Sequence, residues 1–477
     1  METKKKEKRK YTTTIPERAS FWSFGVGQLF YYQIMGTYMT AYLMMQGISL
    51  AKIAVVLFLV KVWDAVNDPL FGYLFDRIKF KKNEKSLPWL RLAAIVMPIF
   101  TIAVFSIPTG MSETGKLIWF GITYVLWDFS YTICDVPFFS MVTTMTNDLD
   151  ERNVLLSVAR VFHGAGVLMS TTIVGLLIGE GVGMSTSAAI VIACIIAVFT
   201  TIPLCILGKE KNYHPVEKEQ EETFTVRQMI SALLKNKYLL IFYTGYIIMW
   251  SLGTGGAVGL FVCYYLFGSV TLNVLITWLG MIPGPVLGLI IPFVLRKVDK
   301  FKLYRMCYFV MVTLDIITFL VGYENFTFFV ISRIIYAIPS CAVGIICFMF
   351  TMDCAEYGQY KNGTDAKGIT FAIQTFSAKI PTALSGSLAL LLLGLFSWVS
   401  VEAGSFAELE AMGVAQSPEA LRGLWIVYLL VPAIGNIIGL IIHSFYKLND
   451  KDVQIMSKCN AGEITREEAE AQLSRKY

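Results

Sequence analysis

The chain has 477 residues, of which 55% are hydrophobic, 14% aromatic and 16% charged, with a formal net charge of +5 and a mean hydropathy of +0.60. Soluble domains carry about 25% charged residues, so this balance excludes an ordinary soluble domain. The three histidines show no zinc-ligand spacing, and Cys134, Cys194, Cys205, Cys263, Cys307, Cys341 and Cys347 lie in apolar segments, where a thiol packs rather than closes a disulfide.

In chain order, the opening "METKKKEKRKYTTT" is basic but holds no short apolar core followed by a small-residue cleavage site, so the first helix is expected to target the membrane itself. Twelve apolar segments follow, each long enough to cross ~30 Å of hydrocarbon. Six lie at 19–46, 51–76, 88–108, 117–145, 154–178 and 186–207. Six more lie at 237–266, 271–295, 302–322, 325–352, 368–397 and 421–447. The chain thus divides into a basic tail (1–18), a six-helix half (19–207), a linker (208–236), a second half (237–447) and a charged, partly helical tail (448–477). The linker contains "GKEKNYHPVEKEQEETFTVRQ" and is too polar to enter a bilayer.

Lys and Arg set the expected orientation. They crowd the N-terminal tail, the 77–91 loop (Arg77, Lys79, Lys81, Lys82, Lys85, Arg91) and the 296–305 loop (Arg296, Lys297, Lys300, Lys302, Arg305). The alternate loops near 180, 268 and 323 have almost none, and the 398–420 loop is acidic, with Glu402, Glu408, Glu410 and Glu419. Both termini and the linker are therefore expected on the cytoplasmic side. "GYLFDRIKFKK" and "PFVLRKVDKFKLYR" occupy corresponding places in the two halves, either as a repeat or through the same positive-inside bias.

The second span contains "KVWDAVNDPLFGYLFDR" (61–77), in which Asp64 and Asp68 lie one helical turn apart with Asn67 beside them. A mid-membrane Asp costs about 2.5 kcal/mol or more on insertion scales, and is a functional candidate by default. Two carboxylates and an amide offer hard oxygen ligands for Na⁺ or Li⁺, or a pair that shares a proton. In the plainer reading Lys61 neutralises one acid and holds helices together, which leaves the other carboxylate needing a further partner.

In the fourth span, "LWDFSYTICDVPFFSM", Asp128, Thr132 and Asp135 fall at i, i+4 and i+7 on one face, and Pro137 loosens the helix beyond them. A carboxylate beside Tyr131, Phe138 and Phe139 suits a sugar, accepting from hydroxyls while a ring packs on C–H groups; the same residues also read as an ordinary buried polar pair. Arg160 in the fifth span either pairs with Asp135, donates to a sugar, or snorkels to the interface near "DLDERN". Lys379, in "FAIQTFSAKIPTALSG", needs an anionic partner if buried, and Asp64 and Asp68 would supply one.

"WDAVNDPLFGYLFDR", "YTICDVPFFSM" and "DCAEYGQYKNGTDAKGITFAIQTFSAK" resemble the glycoside–pentoside–hexuronide:cation symporter family, over essentially all twelve spans. The resemblance implies an all-α polytopic membrane protein of the major facilitator fold, with twelve transmembrane helices in two six-helix halves. It implies a cation site of Asp64, Asn67, Asp68 and Thr132, with Asp64 and Asp68 as the metal ligands if the ion is Na⁺. It implies sugar contact through Asp135 and Arg160 with Phe139 alongside, coupling through Lys379, a matching basic position at Lys61, and a gating ion-pair element at Asp353 and Glu356. This sequence departs from the pattern in three places. Where an aspartate is expected in the first span, an ungapped placement anchored on "YLMMQGIS" puts Gln28, and a shift would put Gln33. Asp128 is an additional acid, assigned here to the substrate site as compensation. Near the eleventh span the expected Arg…Glu order becomes Asp365…Lys367.

The function expected is secondary active transport: symport of a sugar or glycoside with Na⁺ or H⁺ by alternating access, in a bacterial inner membrane. No cofactor is expected beyond the co-transported cation, and the partners are the sugar, a monovalent cation and the bilayer, with no nucleic acid. The alternatives are an uncoupled uniporter and a same-fold carrier of a non-sugar or lipid-like solute, for which the aromatic-rich "FWSFGVGQLFYYQ" is suited. A channel lacks its filter loop or repeated acidic ring here, and an enzyme its nucleotide loop, metal cluster or external catalytic domain.

Overall fold

Helix α1 (Ile15–Met44) begins at a reciprocal cap, in which the Thr14 N–H donates to the Glu17 carboxylate at 2.8 Å and the Thr14 hydroxyl accepts from the Glu17 N–H at 3.4 Å. The structure is a computed structural model that describes residues 11–78, 80, 84–211, 226–363 and 367–477. Five further long helices follow: α2 (Leu50–Arg77), α3 (Leu87–Val104), α4 (Glu113–Met145), α5 (Leu149–Ile178) and α6 (Thr186–Leu207). Most of the linker, the Lys79, Lys81 and Lys82 part of the basic loop, and Asp365 lie outside the described residues.

Beyond the linker come α7 (Val226–Lys235), α8 (Lys237–Ser251), α9 (Gly255–Phe267), α10 (Leu272–Met281), α11 (Pro283–Val294), α12 (Lys300–Val321), α13 (Phe326–Cys347), α14 (Met349–Asn362) and α15 (Lys367–Gly394). The chain ends with α16 (Phe406–Ala411), α17 (Pro418–Trp425), a π-helical turn (Ile426–Leu430), α18 (Val431–His443), α19 (Asp450–Asn460) and α20 (Arg466–Gln472). Several expected spans are therefore interrupted: the seventh between α8 and α9, the eighth before Pro283, the tenth at Phe348 and the twelfth at the π turn. Among the described residues the only β pairing is an isolated bridge between Gln46 and Glu402.

Among the described residues, ten spans are long and apolar enough to cross a membrane by length and composition. Helices α1 and α2, of 30 and 28 residues, have the length. They are less apolar because α1 carries Gln28, Gln33 and several tyrosines and α2 carries Lys52, Lys61, Asp64 and Asp68. Apolar side chains such as Phe199, Ile206, Leu289 and Leu320 stand 70–75% exposed, a surface that hydrocarbon would cover. All nine cysteines are free.

Two compact units form, one of Met1–Gly47, Val62–Glu217 and Glu402–Met412, the other of Ile48–Lys61, Lys218–Val401 and Gly413–Tyr477. In the first unit α1 packs chiefly on α5 and α6, and α3 on α4. Glycines allow this close approach: a methyl group at Gly166 of α5 would fall 2.3 Å from the Val26 carbonyl oxygen of α1. Phe21 of α1 stacks on Phe138 of α4 with ring centroids 4.3 Å apart, in the centre of the unit. Segment 402–412 joins this unit through Ala403, whose N–H donates to the Met45 carbonyl at 2.9 Å, and Glu402, which accepts from Lys116 at 2.5 Å.

The second unit is built on an aromatic core of Phe242, Tyr304, Phe350, His443 and Tyr446. Gly245 makes room for His443, whose Nε2 lies 2.9 Å from the Phe242 carbonyl oxygen. The C-terminal tail is two short helices docked on α14: Asn460 donates to Glu356 at 2.8 Å, and Lys361 to the Tyr477 carbonyl at 2.6 Å.

Candidate functional site

Within the first unit, α2 and α4 bring four of the sequence-selected residues into one hydrogen-bonded group. Asn67 is fully buried and its Nδ2 donates to Asp128 Oδ2 at 3.0 Å and to Thr132 Oγ1 at 2.8 Å. The Thr132 hydroxyl lies 3.1 Å from Asp68 Oδ1 and 3.1 Å from the Asp128 carbonyl oxygen, one turn back on its own helix. Asp64 lies one turn before Asp68 on α2 and is half-buried. Asn67 Oδ1 is buried with no hydrogen-bond partner among the described residues. Among the described residues no three His, Cys, Asp or Glu side chains converge as a metal centre, so an ion held here would also draw on amide and hydroxyl oxygens.

The second group joins α1 to α4. Gln28 is 1% exposed, and its Nε2 donates to Asp135 Oδ1 at 2.6 Å. Gln28 thus takes the first-span position opposite Asp135, while Gln33 turns to Thr37 at 2.6 Å. Gln28 Oε1 is buried without a hydrogen-bond partner among the described residues. Beside the pair stands an aromatic wall, in which the Tyr131 ring lies 5.1 Å from Tyr32 and 5.6 Å from Trp127. The half-buried Asp135 carboxylate, an unpartnered amide oxygen and flanking rings offer the acceptors and apolar faces that a polyhydroxylated ligand engages.

Two groupings expected from the sequence change in the fold. Asp128 is expected with the sugar residues, yet its carboxylate accepts from Asn67 and joins the α2 group. Phe138 is expected to line the ligand; it is fully buried in the stack with Phe21. Phe139 is 47% exposed and meets the His163 ring edge-on at 6.3 Å. Arg160 is exposed on α5, one turn before His163. His163, Tyr32 and Trp127 carry no signal in the sequence, because a lone His or aromatic at helical spacing is indistinguishable from core.

Lys61, Lys379, Asp353 and Glu356 belong to the second unit. Lys61 and Lys379 are half-buried, on α2 and α15. Asp353 forms an ion pair with Lys300 at 2.6 Å, and Glu356 with Lys367 at 3.0 Å. Lys300 also reaches Asp450 at 3.5 Å, so α12, α14 and α19 share one charged knot. A further buried pair has no counterpart among the sequence expectations: Arg333 of α13 donates to Asp315 of α12 at 2.8 Å while packing over the Tyr336 ring.

Long apolar helices enclosing buried carboxylates, amides and hydroxyls define a polytopic membrane transporter. Residues 20–450 match the family model described as MFS/sugar transport protein. The chain belongs to this family, the glycoside–pentoside–hexuronide symporters of the major facilitator superfamily, which are transporters and not enzymes. It is 26% identical to an uncharacterized symporter, YnaJ, of Bacillus subtilis, over 86% of each chain. It is 25% identical to the isoprimeverose transporter of Lactiplantibacillus pentosus, over 89% of this chain and 87% of that one. The crystal structure of the nucleoside transporter NupG shares the fold at a TM-score of 0.65 and 13% identity, covering 91% of this chain and all of the other.

Proposed function

We propose that this sugar transporter is a secondary active symporter, which moves a sugar or glycoside together with Na⁺ or H⁺ by alternating access. The observation that carries the reading is the buried group on α2 and α4, in which Thr132 bridges Asp68 and Asn67 and an amide oxygen is left without a donor. In this reading Asp64, Asn67, Asp68 and Thr132 hold the cation, which relieves the repulsion between two carboxylates one turn apart. Gln28 and Asp135 receive sugar hydroxyls, with Tyr131 and Phe139 alongside and Arg160 as a donor. Lys379 and Lys61 carry cation occupancy to the conformational change, and the ion pairs of Asp353 and Glu356 fasten the ends of helices that move. Coupling requires that cation and sugar raise each other's affinity by the same factor. The bacterial relatives and the distribution of Lys and Arg support an inner-membrane location with both termini in the cytoplasm.

The deciding experiment titrates a panel of glycosides into the purified protein with and without Na⁺, beside an Asp68→Cys variant. One glycoside should bind more tightly with Na⁺, or at lower pH if the ion is H⁺, and the variant should lose that enhancement. Equal binding with and without Na⁺ at every pH would make the protein a uniporter. Binding of no glycoside but of an amphipathic solute would move it to the lipid-like class.

A further inference from the structure

The Asn67 carboxamide has two orientations, related by a half-turn about its last bond, and only one presents its oxygen to an ion. Thr132 alone does not choose between them, because a hydroxyl both donates and accepts. An ionised carboxylate only accepts. Asp128 Oδ2 lies 3.0 Å from Asn67 Nδ2, so Asp128 commits the nitrogen branch to α4. Asp128 is 4% exposed and Thr132 3% exposed, so water does not compete freely for either contact. The other branch of the amide, Oδ1, is then left buried in the group without a donor. A buried oxygen in that state seeks a hydrogen or a cation.

An amide oxygen is too weak a base to hold a proton near neutral pH, but it is a good hard ligand for Na⁺ or Li⁺. Orienting it therefore favours alkali ions over protons, whereas the carboxylates of Asp64 and Asp68 alone can take up either. We propose that Asp128 is a positioning residue for alkali-ion selectivity: its carboxylate fixes the Asn67 carboxamide so that Oδ1 serves as an ion ligand. This rests on the cation reading of Asp64, Asn67, Asp68 and Thr132. Asp128 itself need not touch the ion, in keeping with the absence, among the described residues, of three converging acids.

The test is calorimetric binding of NaCl and of LiCl to the purified full chain without sugar, at fixed pH and constant ionic strength. Asp128→Leu should weaken Na⁺ binding by about ten- to a hundredfold, the usual effect of removing the partner that orients a metal ligand. Asp128→Asn keeps an oxygen that can accept from Asn67 but adds a donor that can hold the flipped amide, so its Na⁺ affinity should fall between that of Asp128→Leu and that of the unchanged protein. Wild-type affinity in Asp128→Leu overturns the proposal. So does an Asp128→Asn variant as weak as Asp128→Leu, because the charge would then be acting on the ion directly. If Asp128→Leu does not fold, Asp128→Asn decides alone: a loss as large as that in Asp68→Asn overturns the proposal. Equal Na⁺ binding by Asp68→Asn and the unchanged protein would place the ion elsewhere, and the cation reading would fall as well. A wild type that binds neither Na⁺ nor Li⁺ overturns alkali-ion positioning while leaving proton coupling through Asp64 and Asp68 intact.

Discussion

Gln28 donates to Asp135 across 2.6 Å and so ties the middle of α1 to α4, leaving Gln28 Oε1 as a buried acceptor without a protein donor. In the proposed sugar site, one hydroxyl would donate to Oε1 and complete the amide, and another would share the Asp135 carboxylate with Gln28. Gln28→Leu removes the acceptor and strips Asp135 of its neutral partner. Sugar affinity should fall about tenfold or more, the scale of one lost buried hydrogen bond plus one unsatisfied group. Na⁺ binding without sugar should stay within about twofold, as for independent sites. Titrating both ligands against the variant separates the two; equal losses of both would mean that the pair holds the fold rather than the sugar.

Periodicity along α4 assigns a face but not a neighbour. Asp128, Thr132 and Asp135 share one helical face by their spacing, but Asp128 and Asp135 stand about 10 Å apart along the axis. At that separation they meet different helices: Asp128 meets Asn67 of α2, and Asp135 meets Gln28 of α1. Which helix lies opposite each turn is a tertiary fact, and no local pattern carries it. The same holds for Gln28 and Gln33, both plausible by register, of which only the fold turns Gln28 to Asp135. The one-turn spacing of Asp64 and Asp68 is legible in the sequence, because it depends on α2 alone. Interruptions such as that between α8 and α9 coincide with Gly253 and Gly255, and the π turn of Ile426–Leu430 lies just before Pro432, which has no N–H to donate to the Tyr428 carbonyl one turn back.

Arg333 and Asp315 offer a stability test within the second unit. Their side chains are 10% and 3% exposed, and the guanidinium also lies over Tyr336 with 4.7 Å to the ring centroid. Asp315→Leu leaves a buried cation without its counter-charge and should cost about 3–5 kcal/mol. Adding Arg333→Met removes the stranded charge and should recover most of that loss, since buried pairs are often neutral against apolar replacements. Thermal unfolding in detergent reads both. Identical midpoints for the single and double variants would show that the two residues do not act as a unit.

Asp452 makes docking of the C-terminal tail sensitive to acid. Burial pushes its carboxyl up, but hydrogen bonds from Ser474, Tyr477 and Asn449 outweigh burial and hold it below its usual value. Because the folded value is depressed, the stabilisation is complete above the unfolded carboxylate value near ~4 and disappears as pH falls through the lower folded value. Hydrogen-exchange protection over 449–477, relative to the intrinsic rate at each pH, should therefore be high at neutral pH and fall only in strong acid, while Asp452→Ala should be weakly protected throughout. Protection of this segment that is unchanged by the substitution would move the anchor elsewhere, to Asn460 and Glu356 or to Lys361.

Gly166 sets how closely α1 and α5 can approach, and through α1 it sets where Gln28 stands. An added methyl would sit 2.3 Å from the Val26 oxygen, 3.1 Å from its carbonyl carbon and 3.2 Å from its Cα. All three are backbone atoms, so no rotamer change relieves the clash and α1 must move. Gly166→Ala should lower stability by about 1–3 kcal/mol, the range for overpacking. Val26 lies two residues before Gln28, so the same displacement should lengthen the 2.6 Å contact with Asp135 and weaken sugar binding. Gly36, on α1 itself, is the control: a methyl added there would meet nothing within 4 Å. Gly36→Ala should leave both quantities unchanged or raise stability slightly, by up to about 1 kcal/mol from helix propensity. If Gly166→Ala and Gly36→Ala behave alike in thermal unfolding and sugar titration, the α1–α5 crossing does not hold the Gln28–Asp135 pair in register.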